Sequence, residues 1–335
     1  MNIRAIVLRL LTTLITLFGV GVVVFAAIRL APGDPIAMML PPGAGEKDIA
    51  LLRELYGLDK SIPEQFWIWL KGVMVGDFGT SISLRQGVLG IVLNRLPATL
   101  ELSILALVFA VFIGGILAFF GTKYRQRKFE AGIDLWNGAA LSIPDFLWGL
   151  IFILLFGVML PIFPISGRIT PSLDHGLVTQ FFMFESLIRL KFNVLLDITR
   201  HMLMPALALA IPLAAVIAQL LKQSLKEVVL QDYVLLAQAK GFSETHVILF
   251  EALKNAVLPT LTLVGVQFTF LIGGTVIIER LFSYEGLGNL AIDAVINRDL
   301  PLIQGIVLVF AVLFVAINLI VDLTYTLLNP RLRHG

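Results

Sequence analysis

LSILALVFAVFIGGILAFFGT, residues 102–122, runs for 21 residues without a charged side chain. At 1.5 Å per helical residue it reaches ~30 Å, the thickness of a bilayer hydrocarbon core. Glu101 closes it on one side. On the other stands KYRQRK (123–128), with four basic residues and no acid. A barrel strand would alternate apolar and polar positions, and this run is apolar throughout. It reads as a transmembrane helix.

Five further uncharged runs follow the same pattern: 10–28, 146–167, 202–221, 255–278 and 300–321. The third span is expected to begin earlier, near Leu135, with Asp145 inside it. Across 335 residues the chain is 58% hydrophobic and 14% charged, against ~45–50% and ~25% for soluble domains. Arg4 and Arg9 precede the first run, but its nineteen residues exceed the ~7–15 of a signal core, and RLAPGDP is a poor cleavage site. We read it as a retained span. Basic residues in short loops mark the cytoplasmic side. Arg4 and Arg9, KYRQRK and the closing RLRH fall on one side only if there are six crossings. The sequence therefore predicts an all-α membrane protein of six transmembrane helices, with N and C termini cytoplasmic.

The outer connections are 29–100, 168–201 and 279–299. The first reads as short amphipathic helices, EKDIALLRELYGL and IPEQFWIWLKGVM, that are too short and charged to span; they would lie at the membrane surface, cap the bundle or meet a soluble partner. In the fourth span Ala206, Ala210, Ala214 and Ala218 form a small-residue stripe of the kind that lets helix backbones approach closely. Pro205 and Pro212 free carbonyls that need protein or water nearby.

Several chemistries are excluded. With no cysteine there is no disulfide, thiolate metal site or cysteine nucleophile. No GK dipeptide occurs, hence no P-loop, and the four histidines make no close ligand pair. No metal site is expected. A formal charge of +2 gives no sign of nucleic-acid binding. Acids near the spans are few: Glu101, Asp145, Glu279 and Asp322. Each is expected to be an ion pair or cap near a span end, Asp145 being equally open to a pathway role.

The segment 222–254 departs from its greasy neighbours. Gly241 suits a left-handed helix cap, and Ser243 an N-cap with Glu244 in the first turn. Val247, Phe250, Leu253 and Val257 fall at helical spacing on one face, and Pro259 is suited to start the next span. Lys222, Lys226, Lys240 and Lys254 balance Glu227, Asp232, Glu244 and Glu251. A membrane-surface anchor would be basic and a plain connector shorter. A helix–Gly–helix elbow that docks a protein fits best.

DYVLLAQAKGFSETHVILFEALKNAVLP (232–259) resembles the cytoplasmic EAA-type loop of ABC importer permeases of the dipeptide/oligopeptide/nickel family, B-type subunit. APGDP, GLDKSIPEQFWIWL, GDFGTSI, LPATLELS, SIPDFLWG, PISGRI, IIERLFSYEGLGNLAIDAVINRDLPLIQG and NLIVDLTYTLLNPRLR agree with it, so the resemblance covers essentially the whole chain. It implies a type I ABC importer permease (MetI-like) fold in the bacterial cytoplasmic (inner) membrane. Residues 1–98 would hold the first helix and a long periplasmic connection; residues 99–335 would hold a five-helix core with the coupling loop at about 222–257. Asp232, Tyr233, Ala237, Ala239, Lys240, Gly241, Phe242, Ser243 and Glu244 would couple to an ATPase, with Leu253, Asn255 and Pro259 closing the loop. Ala237, Lys240 and Gly241 match the core of the family motif. The glutamate and first alanine of the general motif are Leu235 and Leu236 here, and Lys254 stands where many branches have arginine.

The implied partners are a second permease subunit in a heterodimer, two ATP-binding-cassette ATPases, and a periplasmic or lipid-anchored solute-binding protein, besides membrane lipids. No cofactor is expected in this chain, ATP and Mg being bound by the ATPases. It is expected to be no enzyme itself. Asp145 stands where a neutral residue is expected, and Tyr284 where the branch often has tryptophan. Candidates for lining the pathway are Asp145, Pro212, Gln267, Gly273 and Gly274. The expected function is transport of peptides or a similar small solute into the cytoplasm by alternating access. The same machinery for a nickel chelate, glutathione or another non-peptide solute is the alternative. A non-transporting signalling or assembly subunit is the reading from another class. A secondary transporter is disfavoured by the lack of an internal repeat and of a charge relay.

Overall fold

The computed structural model describes residues 3–30, 59–125 and 128–328, and side chains over 11–26, 59–125 and 128–321. The APGDP stretch, the helix expected over EKDIALLRELYGL, and the Arg4, Arg9, Asp322 and C-terminal side chains lie outside them. Eleven helices are used below: α1 Ile3–Leu30, α2 Ile62–Met74, α3 Val88–Lys123, α4 Lys128–Ser142, α5 Asp145–Phe152, α6 Phe182–Ile188, α7 Phe192–Val228, α8 Asp232–Ala239, α9 Leu253–Leu281, α10 Leu287–Ile296 and α11 Leu300–Leu328. Among the described residues there is no strand, only an isolated bridge between Thr80 and Gly87.

Among the described residues four helical stretches are long and apolar enough to cross a bilayer: Val88–Lys123, Phe192–Val228, Glu244–Leu281 and Leu300–Val321. A fifth forms if α4 and the stretch Asp145–Met159, bent by 99° at their junction, count as one span. The described part of α1, Leu11–Ala26, is a shorter apolar helix.

The third span differs from its sequence reading. It breaks before Asp145, where Pro144 caps α5, then widens into a π-helical stretch, Ile153–Met159. It stops there rather than at 167, because Pro161 and Pro164 withhold two amide donors.

The chain divides into two compact units. The first comprises the chain up to Leu96 with Leu290–Val315. In it Trp69 and Phe66 of α2 pack on Phe25 of α1, ring centroids 5.7 and 5.4 Å apart. Trp69 also lies against Gly21. Asp299 is fully buried and organises the loop before α3: its Oδ2 accepts from Ser81 Oγ (2.6 Å), Ser83 N (2.9 Å) and Ser83 Oγ (2.7 Å), and Oδ1 accepts from Leu302 N. Burial works against the charged carboxylate, but these donors hold its pKa below the usual value.

The second unit is Pro97–Asn289 with Ala316–Gly335. Its centre is α7. Ala206, Ala210, Ala214 and Ala218 are all buried, and a Cβ on Gly114 of α3 would lie 2.8 Å from the Ala214 carbonyl oxygen. The alanine stripe is thus where two backbones meet.

At one end of this unit Ala118, Leu221, Leu225, Val229, Ile248, Ala252 and Ala256 form a cluster. Beside it Lys222 of α7 pairs with Asp134 and, at 3.5 Å, with Glu130 of α4, while Lys226 also pairs with Glu130. At the other end Glu101 meets buried Arg168 at 3.3 Å and accepts from Met183 N and Phe184 N, capping α6. The Arg168 guanidinium stacks 4.2 Å from the Phe182 ring. Glu279 accepts from Thr99 Oγ1 at 2.7 Å and from Asn289 N at 3.0 Å, so it caps α10. Tyr284 is fully buried in the same region, and burial raises its pKa. Glu101 and Glu279 thus hold the pairing and capping roles expected of them.

Candidate functional site

The elbow starts where α7 ends. In α8 only Val234 and Ala237 point inward; with Val247 they make a small apolar cluster against Val228. Asp232, Tyr233, Ala239 and Lys240 are exposed. The helix stops in a Schellman motif: Gly241 N donates to the Gln238 carbonyl (2.9 Å) and Phe242 N to the Ala237 carbonyl (3.4 Å). Gly241 has φ +84°, the left-handed conformation that glycine adopts without penalty. Ser243 then caps the next turn, its Oγ accepting from His246 N, with Glu244 following.

Beyond this turn the structure departs from the expected second helix. Val247–Ala252 is π-helical, and the wider turn changes the register. Val247 is buried but Phe250 is 55% exposed, so the face read as Val247, Phe250, Leu253 and Val257 does not exist. Ile248, Ala252 and Ala256 face inward instead. Phe250 joins an outward ladder: Phe242 and His246 stack with centroids 4.6 Å apart, His246 and Phe250 4.9 Å apart.

Pro259 is a second correction. It lies inside α9 and does not begin it; the carbonyl of Asn255, deprived of its donor, belongs to an exposed residue, so the loss is tolerable. Leu253 and Asn255 lie in the first turn of α9, and Asn255 Nδ2 donates to Tyr233 Oη at 2.7 Å. That bond ties the base of the elbow to its first helix.

The charge balance changes too. Lys222 and Lys226 are committed to α4, an arrangement the sequence reading missed although both pairs, 222/226 and 130/134, carry the i, i+4 spacing of one helix face. Acids therefore outnumber bases on the rest of the elbow.

Of the pathway candidates, Asp145, Pro212, Gln267 and Gly274 line one cavity of about 270 Å³ in the second unit. Gly273 is exposed and is not part of its wall. The remaining lining is apolar, from Leu141 and Ile143 beside the bend, α7 and α9. Among the described residues no group of acids and histidines is placed to hold a metal ion.

A helical chain with several bilayer-length apolar stretches and a folded polar elbow between two of them is an integral membrane protein in architecture. The family comparison carries this further: residues 88–334 match "Binding-protein-dependent transport system inner membrane component", and residues 2–103 match "Binding-prot-dependent transport system membrane comp, N-term". The chain belongs to this family, and is an inner-membrane permease subunit of a binding-protein-dependent ATP-binding-cassette importer, of the B type. It is 38% identical over 324 residues, 95% of both chains, to the di/tripeptide transport system permease protein DppB of Pseudomonas aeruginosa (strain UCBPP-PA14). It is 36% identical over 331 residues, again 95% of both, to the dipeptide transport system permease protein DppB of Escherichia coli (strain K12). With the glutathione transport system permease protein GsiC of Salmonella typhi it shares 35% identity over 327 residues, 97% of both chains.

Proposed function

We propose that this permease moves di- and oligopeptides, or a similar small solute such as glutathione, into the cytoplasm by alternating access. Energy comes from separate ATPase subunits that bind ATP and Mg, and the elbow 232–259 is the part they grip. The carrying observation is the elbow itself, closed by the Schellman turn at Gly241 and braced by Asn255 on Tyr233. A rigid, solvent-directed pair of short helices transmits a push; a slack connector would absorb it. The exposed Phe242–His246–Phe250 ladder supplies the aromatic contact area of an interface core.

We read the fold as six spans of a type I (MetI-like) permease, a first helix and outer connection followed in the chain by a five-helix core, with both termini cytoplasmic. The two polar ends of the second unit support this. Glu101 and Gly121, the latter against Lys222, are 20 residues apart on α3, hence ~30 Å. The α4 start lies at the Lys222 end and Arg168 at the Glu101 end, which supports reading the bent pair as a span.

The working assembly would pair this chain with a second permease in a heterodimer, two ATPases and a solute-binding protein. The test is ATP hydrolysis by the reconstituted complex. Stimulation several-fold by the loaded binding protein is expected, and no stimulation would overturn the importer assignment of the elbow. Mass spectrometry of what co-purifies with the binding protein identifies the solute.

A further inference from the structure

Asp145 and Gln267 are the two polar side chains lining the cavity of about 270 Å³; the rest of the wall is aliphatic, aromatic, proline or glycine. The carboxylate is half-buried. Its Oδ1 accepts from Phe146 N at 2.8 Å, and among the described residues it meets no lysine, arginine or histidine at ion-pair distance. A Cβ on Gly274, across the cavity, would lie 3.8 Å from Oδ2, so the glycine leaves that oxygen open. Gln267 is 12 residues before Glu279 on α9, which puts the cavity ~18 Å inside the capped end. This is hydrocarbon depth, where a carboxylate is costly and is kept for a reason.

An uncompensated negative charge in a mostly apolar wall focuses its field into the cavity and draws a cation there. A volume of this size, just below the roughly 300–1,000 Å³ of ordinary ligand pockets, suits one end of a small solute and not a macromolecule. We propose that this cavity receives the cationic end of the transported solute, a primary ammonium such as the free amino terminus of a peptide, and that Asp145 is the residue selecting it. The amide of Gln267, which offers both donor and acceptor, completes the polar side. The inference rests on the importer reading and deepens it.

The absence of native cysteine gives a direct test. In the assembled complex, Gln267→Cys is exposed to two methanethiosulfonate reagents, one bearing trimethylammonium and one sulfonate, and modification of this chain is followed by mass spectrometry. Relative to their rates on a free thiol, the cationic reagent should be favoured about tenfold. Adding Asp145→Asn should abolish the preference, and Asp145→Glu should keep it. An unchanged ratio in the Asn variant, or no modification by either reagent, overturns the proposal. The importer reading is judged separately, by binding-protein-stimulated ATP hydrolysis of the unsubstituted complex. Loss there with the labelling preference intact removes the transport role and leaves the cation site standing.

Discussion

Gly241 shows how one backbone angle governs the elbow. A Cβ there would meet nothing within 4 Å, so a substitution is penalised by φ alone. The left-handed region costs an ordinary L-residue roughly 1–2 kcal/mol, least for asparagine and most for β-branched residues. Solute uptake should therefore fall in the order Gly241→Asn, Gly241→Ala, Gly241→Val, with the amount of chain in the membrane unchanged and the Val variant uncoupling ATP hydrolysis from uptake. Equal uptake by all three would remove the cap from the mechanism. This residue was legible in the sequence because a glycine followed by a serine cap is a local signal. Glu185 was not. It is an ordinary acid in sequence, but it accepts from Thr179 Oγ1 at 2.6 Å, Val178 N and Thr179 N. These bonds, led by the Thr179 hydroxyl, lower its pKa to about 2. A depressed carboxylate stabilises the fold above its ordinary value of 4.5 and loses that contribution as pH falls from there through about 2. In thermal unfolding of the purified complex, Glu185→Gln should lower Tm at pH 7, and the gap from the wild-type protein should narrow progressively below pH 4.5.

At the scale of elements, four span positions, 102–122, 202–221, 255–278 and 300–321, were readable because uncharged runs of bilayer length are a strong signal. The register of Val247–Ala252 was not, because nothing in VILFEA distinguishes 3.6 from 4.4 residues per turn. The apolar stripe placed Phe250 inside, and the π-helical stretch turned it out. The ladder between α4 and α7 is a second case of a pairing hidden by sequence distance, with Glu130 and Lys222 92 residues apart. Glu130 is its shared member, bonded by both Lys222 and Lys226 at 13% exposure, whereas Asp134 is 50% exposed. Removing Glu130 leaves the mostly buried Lys222 with one solvent-screened partner. Glu130→Gln is thus expected to destabilise by about 1–3 kcal/mol, and Asp134→Asn by under about 1 kcal/mol. Unfolding of the two variants in detergent, scored side by side, measures the difference, and a larger effect at Asp134 would contradict the shared-acid arrangement.

For the whole molecule the deciding feature is parity. If the bent pair α4–α5 crosses the bilayer, the chain has an even number of spans and both termini share a side; if it re-enters, the termini are opposed. Within the second unit α3 runs from the Glu101 end to the Lys222 end, and α9 returns from Ala256 to Glu279. The last helix descends beside α9, since Thr269 meets Asn318 and Gly265 lies against Val321. Its C-terminus therefore points toward the end that holds KYRQRK and the elbow. The basic-residue rule assigns that end to the cytoplasm in our proposal, and the same rule, applied to Arg4 and Arg9 near the chain start, would put the beginning of the first helix on the same side. A fluorescent protein fused after Gly335 should accordingly fold and fluoresce in the cytoplasm. Alkaline phosphatase inserted after Gly176, between the bent pair and α7, should be active because it is exported. Phosphatase inactive at that site, with the C-terminal fusion dark, would make α4–α5 a re-entrant hairpin and put the elbow on the opposite face from KYRQRK. That arrangement would break the Lys222 and Lys226 pairs with α4, so the topology experiment and the stability of the Glu130 variant must give concordant answers.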